Sequence, residues 1–150
     1  MNCWLMKSEP DCYSIDDLLN DKKAGWSGVR NYQARNFMKE MKVGDMVIFY
    51  HSSANPPAAA GIARVCREAH PDLTALQSRD DHYDPKATKA NPIWYEVDIE
   101  FVEKFAQPVS LSRMKFDPAL KGVTVAQKGS RLSVMPISRE HFKRIVEMGK

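Results

Sequence analysis

The sequence has little of what marks several large classes of protein. It has only three cysteines, at positions 3, 12 and 66, so it lacks the paired cysteines of a disulfide-stapled secreted domain. Its longest nearly uncharged apolar run, 46–50, is far short of the roughly 20 residues that a membrane span needs. The first residues show no basic leader followed by an apolar stretch, the pattern of a signal peptide. We therefore expect a soluble, cytoplasmic protein with free thiols and no membrane partner.

Several signatures of catalysis and cofactor binding are also missing. Neither type of glycine-rich phosphate loop occurs, and there is no Gly-x-Ser-x-Gly nucleophile motif. The histidines and cysteines do not fall at metal-ligand spacings, and Asp80-Asp81-His82 is more typical of a solvated loop. We expect no cofactor and no obligate metal. A strong charge is lacking too: 22 Lys and Arg against 19 Asp and Glu give +3, which permits a nucleic-acid partner without indicating one.

What is present fits one ordinary globular domain. The chain has 150 residues, of which 43% are hydrophobic and 27% are charged. No internal repeat, low-complexity tail or change in composition divides it. We predict a single domain over 1–150, and with no heptad seam in the sequence we expect a monomer.

The hydrophobic pattern predicts an α+β fold. Strands are predicted at 3–7, 46–50, 61–68 and 93–101 and near 132–137, and helices after Ser14, over 32–41, after Ser110 and after Ser138. The 46–50 strand should be buried on both faces and should pair antiparallel with the next strand, because the loop between them is too short for a crossover. We expect a curved, mostly antiparallel sheet, nearly closed into a small barrel and flanked by short helices.

The predicted strand 93–101 has the clearest alternation. Its odd positions are apolar and should face the core, whereas its even positions are mostly acidic and should face solvent. Trp94 falls on the polar face, an unusual place for the largest apolar side chain. Ala24–Gly28 is predicted to be a loop, and Gly129 is predicted to turn the chain into the strand near Leu132.

One chemically suggestive segment is Trp4–Pro10, where the first strand ends. Lys7, Ser8 and Glu9 bring an amine, a hydroxyl and a carboxylate together at a position where scaffolds often present functional groups. In a simpler interpretation, Lys7 and Glu9 form a surface ion pair and the proline only ends the strand. The residues alone leave both interpretations open.

A second segment, 25–36, joins a flexible loop to the start of a helix. Trp26 has a flat ring that can stack on a nucleobase, worth ~1–3 kcal/mol per base. Arg30, Asn31 and Arg35 gather where free N–H groups attract anions and an amide can read a base edge. Taken residue by residue, a simpler interpretation is favoured, in which Trp26 caps the core, Asn31 caps the helix and both arginines are solvated.

Five motifs, taken together and in order, resemble the EVE domain. They are Trp4-Leu5-Met6-Lys7-Ser8-Glu9-Pro10, the segment from Trp26 to Asn36, Phe49-Tyr50-His51-Ser52, Tyr83-Asp84-Pro85 with Pro92-Ile93-Trp94, and Gly129-Ser130-Arg131-Leu132-Ser133-Val134. The resemblance runs over essentially the whole chain. It looks like the stand-alone, bacterial form of the domain.

This resemblance implies a fold and a function. EVE domains belong to the PUA-like superfamily, whose small β-barrel is wrapped by helices and whose members include proteins that hold one modified nucleobase in a pocket. The expected partner is DNA with a modified cytosine or RNA with a modified base. The expected pocket residues are Lys7, Ser8, Glu9, Trp26, Val29, Asn31, Tyr32, His51, Ser52 and Trp94. Arg30 and Arg35 are expected to contact phosphate or another anion.

Two other functions stay open. The ASCH relatives of this superfamily include amidohydrolases that act on acylated cytidine with a lysine, a hydroxyl and a glutamate, and Lys7, Ser8 and Glu9 offer those groups. Consecutive strand residues point to opposite faces, which argues against their convergence and makes a binding module the favoured prediction over an enzyme. A protein-interaction adaptor, docking through a barrel edge or the 70–91 loop, is the third possibility.

Overall fold

The computed structural model describes residues 1–127 and 131–150, and it has the predicted α+β class. The strands are β1 (Cys3–Ser8), β2 (Lys23–Gly25), β3 (Met46–His51), β4 (Ala58–Pro71), β5 (Tyr95–Ser110) and β6 (Val134–Ile137). The helices are α1 (Ile15–Asp21), α2 (Tyr32–Glu40), α3 (Leu111–Phe116) and α4 (Arg139–Met148). Short 3-10 turns cover Leu73–Leu76, Pro118–Leu120 and Thr124–Ala126.

The strands form one mixed sheet in the order β2-β5-β4-β3-β1-β6. Among the described strands only β1 and β3 run parallel, and the predicted antiparallel pairing of β3 with β4 is confirmed. Closure into a barrel is not seen among the described residues, because β2 and β6 stand at opposite edges of the sheet. These two edge strands have 3 and 4 residues, too few to form a long closing ladder.

Side-chain caps begin the four helices, as the sequence indicates. Ser14 forms a capping box with Asp17 at α1, and the Asn31 side chain accepts a hydrogen bond from the Ala34 backbone N–H at α2. Ser110 and Ser138 cap α3 and α4 in the same way. These caps fix where each helix starts, and so fix the loops in front of them.

The core lies on both faces of the central strands. Trp4 and Phe49 belong to a cluster on one face with α1 and α2, while Leu5 and Ile48 belong to a cluster on the other face with α3 and α4. This confirms that 46–50 is a strand buried on both sides. It also leaves the ends of β1 and β3 as the places where polar side chains can emerge.

The start of β5 differs from the prediction. Ile93 has a left-handed φ of 62°, and the Trp94 N–H donates to the Pro92 carbonyl at 2.6 Å, so the chain turns there and the strand begins at Tyr95. The placement of Trp94 on a solvent face is therefore wrong. Trp94 is 5% exposed and packs in a small cluster with Ala75 and Ala87.

Two other segments also differ. Ala24 and Gly25, predicted to be loop, form part of edge strand β2 because they pair with β5 at Ile99 and Asp98. The predicted strand 61–68 is the middle of the longer β4. The turn predicted at Gly129 lies outside the described residues. Within the described part of the chain, no helix has the length and apolar character to cross a bilayer.

Candidate functional site

A cavity of about 540 Å³ opens where β1 ends, facing the segment that follows β2. Its volume falls within the roughly 300–1,000 Å³ of sites that hold small organic groups. It is lined by Lys7, Ser8, Glu9, Cys12, Tyr13, Ala24, Gly25, Trp26, Ser27, Gly28, Val29, Arg30, His82 and Ser133. Half of the predicted site residues therefore meet at one cavity: Lys7, Ser8, Glu9, Trp26, Val29 and Arg30.

Trp26 forms the aromatic part of this wall. Its ring and that of Phe49 form a T-shaped pair, with centroids 5.4 Å apart at 90°, and Trp26 is 9% exposed. Among the described residues, the indole N–H groups of Trp4 and Trp94 donate to Asp45 and Asp84, but that of Trp26 has no such acceptor. No fully buried side-chain nitrogen or oxygen lacks a partner in the described part of the chain, so the Trp26 N–H is reached by solvent.

The loop after Trp26 is anchored by a buried carboxylate. Asp72, fully buried, accepts hydrogen bonds from the Gly28 N–H at 2.8 Å, the Arg30 guanidinium at 3.1 Å and the Thr74 hydroxyl at 2.6 Å. Burial acts to raise the pKa of Asp72, but these hydrogen bonds outweigh it and lower the pKa below its usual value. The carboxylate therefore stays charged and holds this wall of the cavity in place.

Arg30 is part of this anchor. Its Nε donates to the His82 carbonyl at 2.9 Å, its Nη1 to the Val29 carbonyl and Asp72, and its Nη2 to Thr74 at 3.1 Å. Most of its N–H groups thus serve the protein itself. Arg30 was predicted to contact an anion. Instead, it lines the cavity mainly as a link between the loop after Trp26 and the segments that contain Thr74 and His82.

Gly28 is required by the same arrangement. Its φ of 85° lies in the left-handed region, and a Cβ there would come within 2.8 Å of the His82 ring. Because residue 28 has no side chain, the loop that contains His82 can approach the loop that follows Trp26, and His82 reaches the cavity.

The opposite wall comes from the end of β1. The Lys7 backbone N–H donates to the Ser133 carbonyl at 2.8 Å, and the Ser8 hydroxyl donates to the Tyr13 carbonyl at 2.6 Å. Among the described residues no carboxylate forms an ion pair with Lys7, so the predicted simple pairing with Glu9 is not observed. Partial burial lowers the pKa of the Lys7 ammonium.

Three predicted residues do not line this cavity and instead bond the protein. The Asn31 side chain is occupied in capping α2. The Nε2 of His51 accepts a hydrogen bond from the Ile15 N–H at 3.1 Å, and burial lowers the pKa of this imidazole, which favours the neutral form. The Ser52 backbone N–H donates to the Ser8 carbonyl at 3.0 Å.

The remaining predicted aromatic residues form a separate stack. Tyr32 and Trp94 lie face to face, with centroids 4.9 Å apart at 27°, and the Trp94 N–H donates to Asp84 at 2.7 Å. The Arg35 guanidinium sits 4.9 Å from the Tyr32 ring centroid and donates to the Ile93 carbonyl. These rings contact each other, and neither lines the Trp26 cavity.

Sequence reasoning missed several cavity residues. Tyr13 and Cys12 arrive through the turn after β1, and His82 comes from the cluster assigned to a solvated loop. Ser133 lies in a motif that carried the family resemblance, which was the one signal pointing to it. In the residues that the structure describes, no group of three or more His, Cys, Asp or Glu side chains is arranged to hold a metal ion.

Comparisons with known proteins agree on one family. The model of the EVE domain matches residues 2–148. Thymocyte nuclear protein 1 from Danio rerio is 38% identical, over 97% of this chain and 71% of its own length.

Two solved structures extend the comparison to the fold, and one of them contains a ligand of that relative. A crystal structure of a Pseudomonas putida protein is 48% identical, covers 99% of both chains and superposes with a TM-score of 0.95. The human THYN1 protein, crystallised in complex with 5-methylcytosine-containing DNA, is 35% identical with a TM-score of 0.92, over 100% of this chain and 98% of that one.

Proposed function

The chain belongs to the EVE domain family, and from this premise we propose that it binds nucleic acid carrying a modified cytosine, with that base held in the Trp26 cavity. The complex of the human relative with 5-methylcytosine-containing DNA supports the ligand class. The observation that carries the assignment of the site is the cavity itself. It combines the volume of a small-molecule site with an aromatic ring whose polar atom is reached by solvent.

A base inside a duplex cannot reach such a cavity without leaving its stack. Extruding the base costs a few kcal/mol, and its contacts in the cavity have to offset this cost. We assign the stacking surface to Trp26, since base–aromatic stacking contributes ~1–3 kcal/mol. The anchored loop keeps this ring in place before binding, so little ordering is left for the ligand to impose.

The polar groups in and near the cavity have different roles in this proposal. Glu9 is exposed, and its carboxylate accepts only two long hydrogen bonds among the described residues, from the Ser53 hydroxyl at 3.4 Å and the Cys12 thiol at 3.7 Å, so it can also accept from the exocyclic amine of cytosine. Lys7 supplies a cation for a phosphate or a charged modification. Ser8 and Asn31, both predicted to be pocket residues, act as supports in this proposal because their side chains bond the protein.

The test is a titration of short duplexes with and without 5-methylcytosine, followed by fluorescence anisotropy. We expect wild type to prefer the methylated duplex, Trp26→Phe to retain most of the affinity, and Trp26→Ala to lose about 50-fold or more because it removes stacking. Thermal unfolding of each variant separates lost binding from lost folding, since the alanine substitution also opens a cavity beside Phe49. Equal affinity in wild type and a folded Trp26→Ala would exclude this site.

One observation favours hydrolysis of an acylated cytidine as a second candidate. Lys7, with its lowered pKa, lies at the same cavity as Ser8 and Glu9, which are the three groups that such chemistry needs. The donation from the Ser8 hydroxyl to Tyr13 weighs against it. Incubation with N4-acetylcytidine checks it: turnover lost in Lys7→Ala and kept in Lys42→Ala would establish the enzyme, and no turnover in wild type would exclude it.

The remaining expectations extend the proposal. The protein acts as a monomer in the cytoplasm, and its partner is DNA in preference to RNA, a choice supported by the presence of DNA in the human relative's complex. Matched DNA and RNA oligonucleotides in the same titration decide the second point. Tighter binding of the RNA would reverse the preference while leaving the cavity assignment intact.

A further inference from the structure

Phe116 is the most exposed large apolar side chain among the described residues, at 86%. It lies at the end of α3, next to a shallow groove of about 350 Å³ that includes Lys115, Lys121 and Gln127. A fully exposed phenylalanine beside two lysines combines an apolar, flat surface with positive charge. That combination differs from the Trp26 cavity, which Phe116 does not line.

The backbone around Phe116 is fixed on both sides. Met114, two residues earlier, is fully buried in the core. Asp117, the next residue, accepts from the Ala119 N–H at 2.8 Å and from Arg144 at 2.7 and 3.0 Å. The ring is therefore presented to solvent from a rigid support, not from a loose end of the chain.

The charges around the ring favour a polyanion. Lys115, Lys121 and Arg113 form no ion pair with a carboxylate of the described residues. The acidic neighbour, Asp117, is neutralised by Arg144, whose hydrogen bonds lower the pKa of that carboxyl. The exposed phenylalanine is thus flanked by cations whose charge is not cancelled locally.

Covalent geometry keeps this surface close to the cavity. Gln127 borders the groove and Ser133 lines the Trp26 cavity, and six residues of chain span at most about 22 Å. Duplex DNA rises about 3.4 Å per base pair along each strand, so this reach corresponds to roughly six base pairs. A short nucleic acid is therefore long enough to reach from one surface to the other.

We propose that Phe116, with Lys115 and Lys121, is a second contact surface for the strand that flanks the modified base. The ring packs against a base of that strand, and the lysines bind its phosphates. This inference rests on the proposed function and adds a surface that the cavity does not include. It makes recognition of a base in a polymer stronger than recognition of the free nucleoside.

The experiment compares two probes with the full chain. One is the nucleoside 5-methyl-2′-deoxycytidine, which fits the cavity alone, and the other is a short duplex with one central 5-methylcytosine. We expect Phe116→Ala to weaken duplex binding about tenfold, as loss of one stacked base does, and to leave nucleoside binding unchanged. Val43→Ala, an exposed apolar residue that precedes β3 at the opposite end of the sheet, is the matched control and should change neither.

The lysines are tested through salt. Each phosphate contact contributes about 0.9 to the slope of log affinity against log salt, so the double variant Lys115→Ala with Lys121→Ala should lower the duplex slope by about 1.8. Removing two exposed lysines elsewhere, Lys42→Ala with Lys150→Ala, should leave the slope unchanged. Phe116→Ala should keep the wild-type slope, since it removes no charge.

Three results would overturn this inference while the proposed function stands. Phe116→Ala could bind the duplex like wild type, or it could lose affinity for the nucleoside in parallel with the duplex. Sedimentation could also show that wild type is a dimer and Phe116→Ala a monomer, which would make the surface a contact between copies of the chain. A wild type that bound neither probe would refute the proposed function and this inference together.

Discussion

Trp26 and Trp94 lie in two neighbouring regions that use the same residue types differently. Trp94 stacks on Tyr32, donates its N–H to Asp84 and packs with Ala75. Trp26 packs at a right angle to Phe49 and borders the cavity, with its N–H reached by solvent. Both segments are rich in aromatic and basic side chains, so composition does not separate them.

The difference lies in where the polar atoms find partners. A tryptophan whose ring face and N–H are both occupied by the protein has little left to offer a ligand. A tryptophan with the N–H reached by solvent, held beside a cavity by an anchored loop, is ready to bind. In our proposal, this contrast makes the Tyr32–Trp94 stack a structural element and the Trp26 cavity the binding site.

Removing Trp94 gives the largest expected effect on stability. Trp94→Ala should lower the free energy of unfolding by about 3–5 kcal/mol, since it removes a buried ring and its stacking contact with Tyr32. Urea unfolding measures this loss. Below its unfolding temperature the variant should still bind 5-methyl-2′-deoxycytidine within threefold of wild type. A specific loss of nucleoside binding from a folded Trp94→Ala would remove the distinction between the two regions.

Arg30 tests the contrast between binding and structural residues. It lines the cavity, but its guanidinium forms hydrogen bonds within the protein. Arg30→Gln should weaken duplex binding about tenfold by loosening the loop that Asp72 anchors. The salt slope of binding should stay the same, because in this account Arg30 contacts no phosphate. A slope lowered by about 0.9, with the loop unchanged in hydrogen exchange, would instead make Arg30 the phosphate ligand that the sequence suggests.

His51 gives the smallest expected effect, and it appears as a pH dependence. Burial lowers the pKa of His51 from its usual 6.5, with Asp16 opposing the shift and Lys104 adding to it. The unfolded chain therefore takes up the proton first, and stability falls as the pH drops from about 6.5 toward the lowered pKa. The unfolding temperature should drop by a few degrees between pH 7 and 5.

The variant His51→Gln tests the cause of that drop. Its side-chain carbonyl can accept from the Ile15 N–H without titrating, so the loss of stability on acidification should be smaller than in wild type. His141→Gln on α4 is the matched control and should behave as wild type does. An identical acid response in wild type and His51→Gln would show that the bond from Ile15 does not govern it.

Local patterns predicted much of the fold. The capping box at Ser14 and the cap at Asn31 fixed the starts of α1 and α2, because such caps depend only on neighbours three residues apart. Alternation predicted that Val97 and Ile99 face the core, which the structure confirms. Periodicity predicts a helix or strand correctly where its geometry depends only on its own residues.

The same patterns failed where contacts between residues far apart in the sequence determine the structure. Trp94 is turned inward by the left-handed bend at Ile93 and by Asp84, neither of which leaves a periodic signal. Asp72 anchors Gly28 from 44 residues away, so the rigidity of the site could not be derived from the loop sequence. The family resemblance singled out several segments that contribute to the cavity, but only the contacts show which of their polar atoms already bond the protein.

The most direct measurement follows the indole N–H signals of the three tryptophans by NMR while 5-methyl-2′-deoxycytidine is added. Our account predicts that the Trp26 signal shifts in proportion to binding, because the base stacks on that ring. The Trp4 and Trp94 signals, held by Asp45 and Asp84, should stay in place. A Trp94 signal that shifts while that of Trp26 does not would contradict the account.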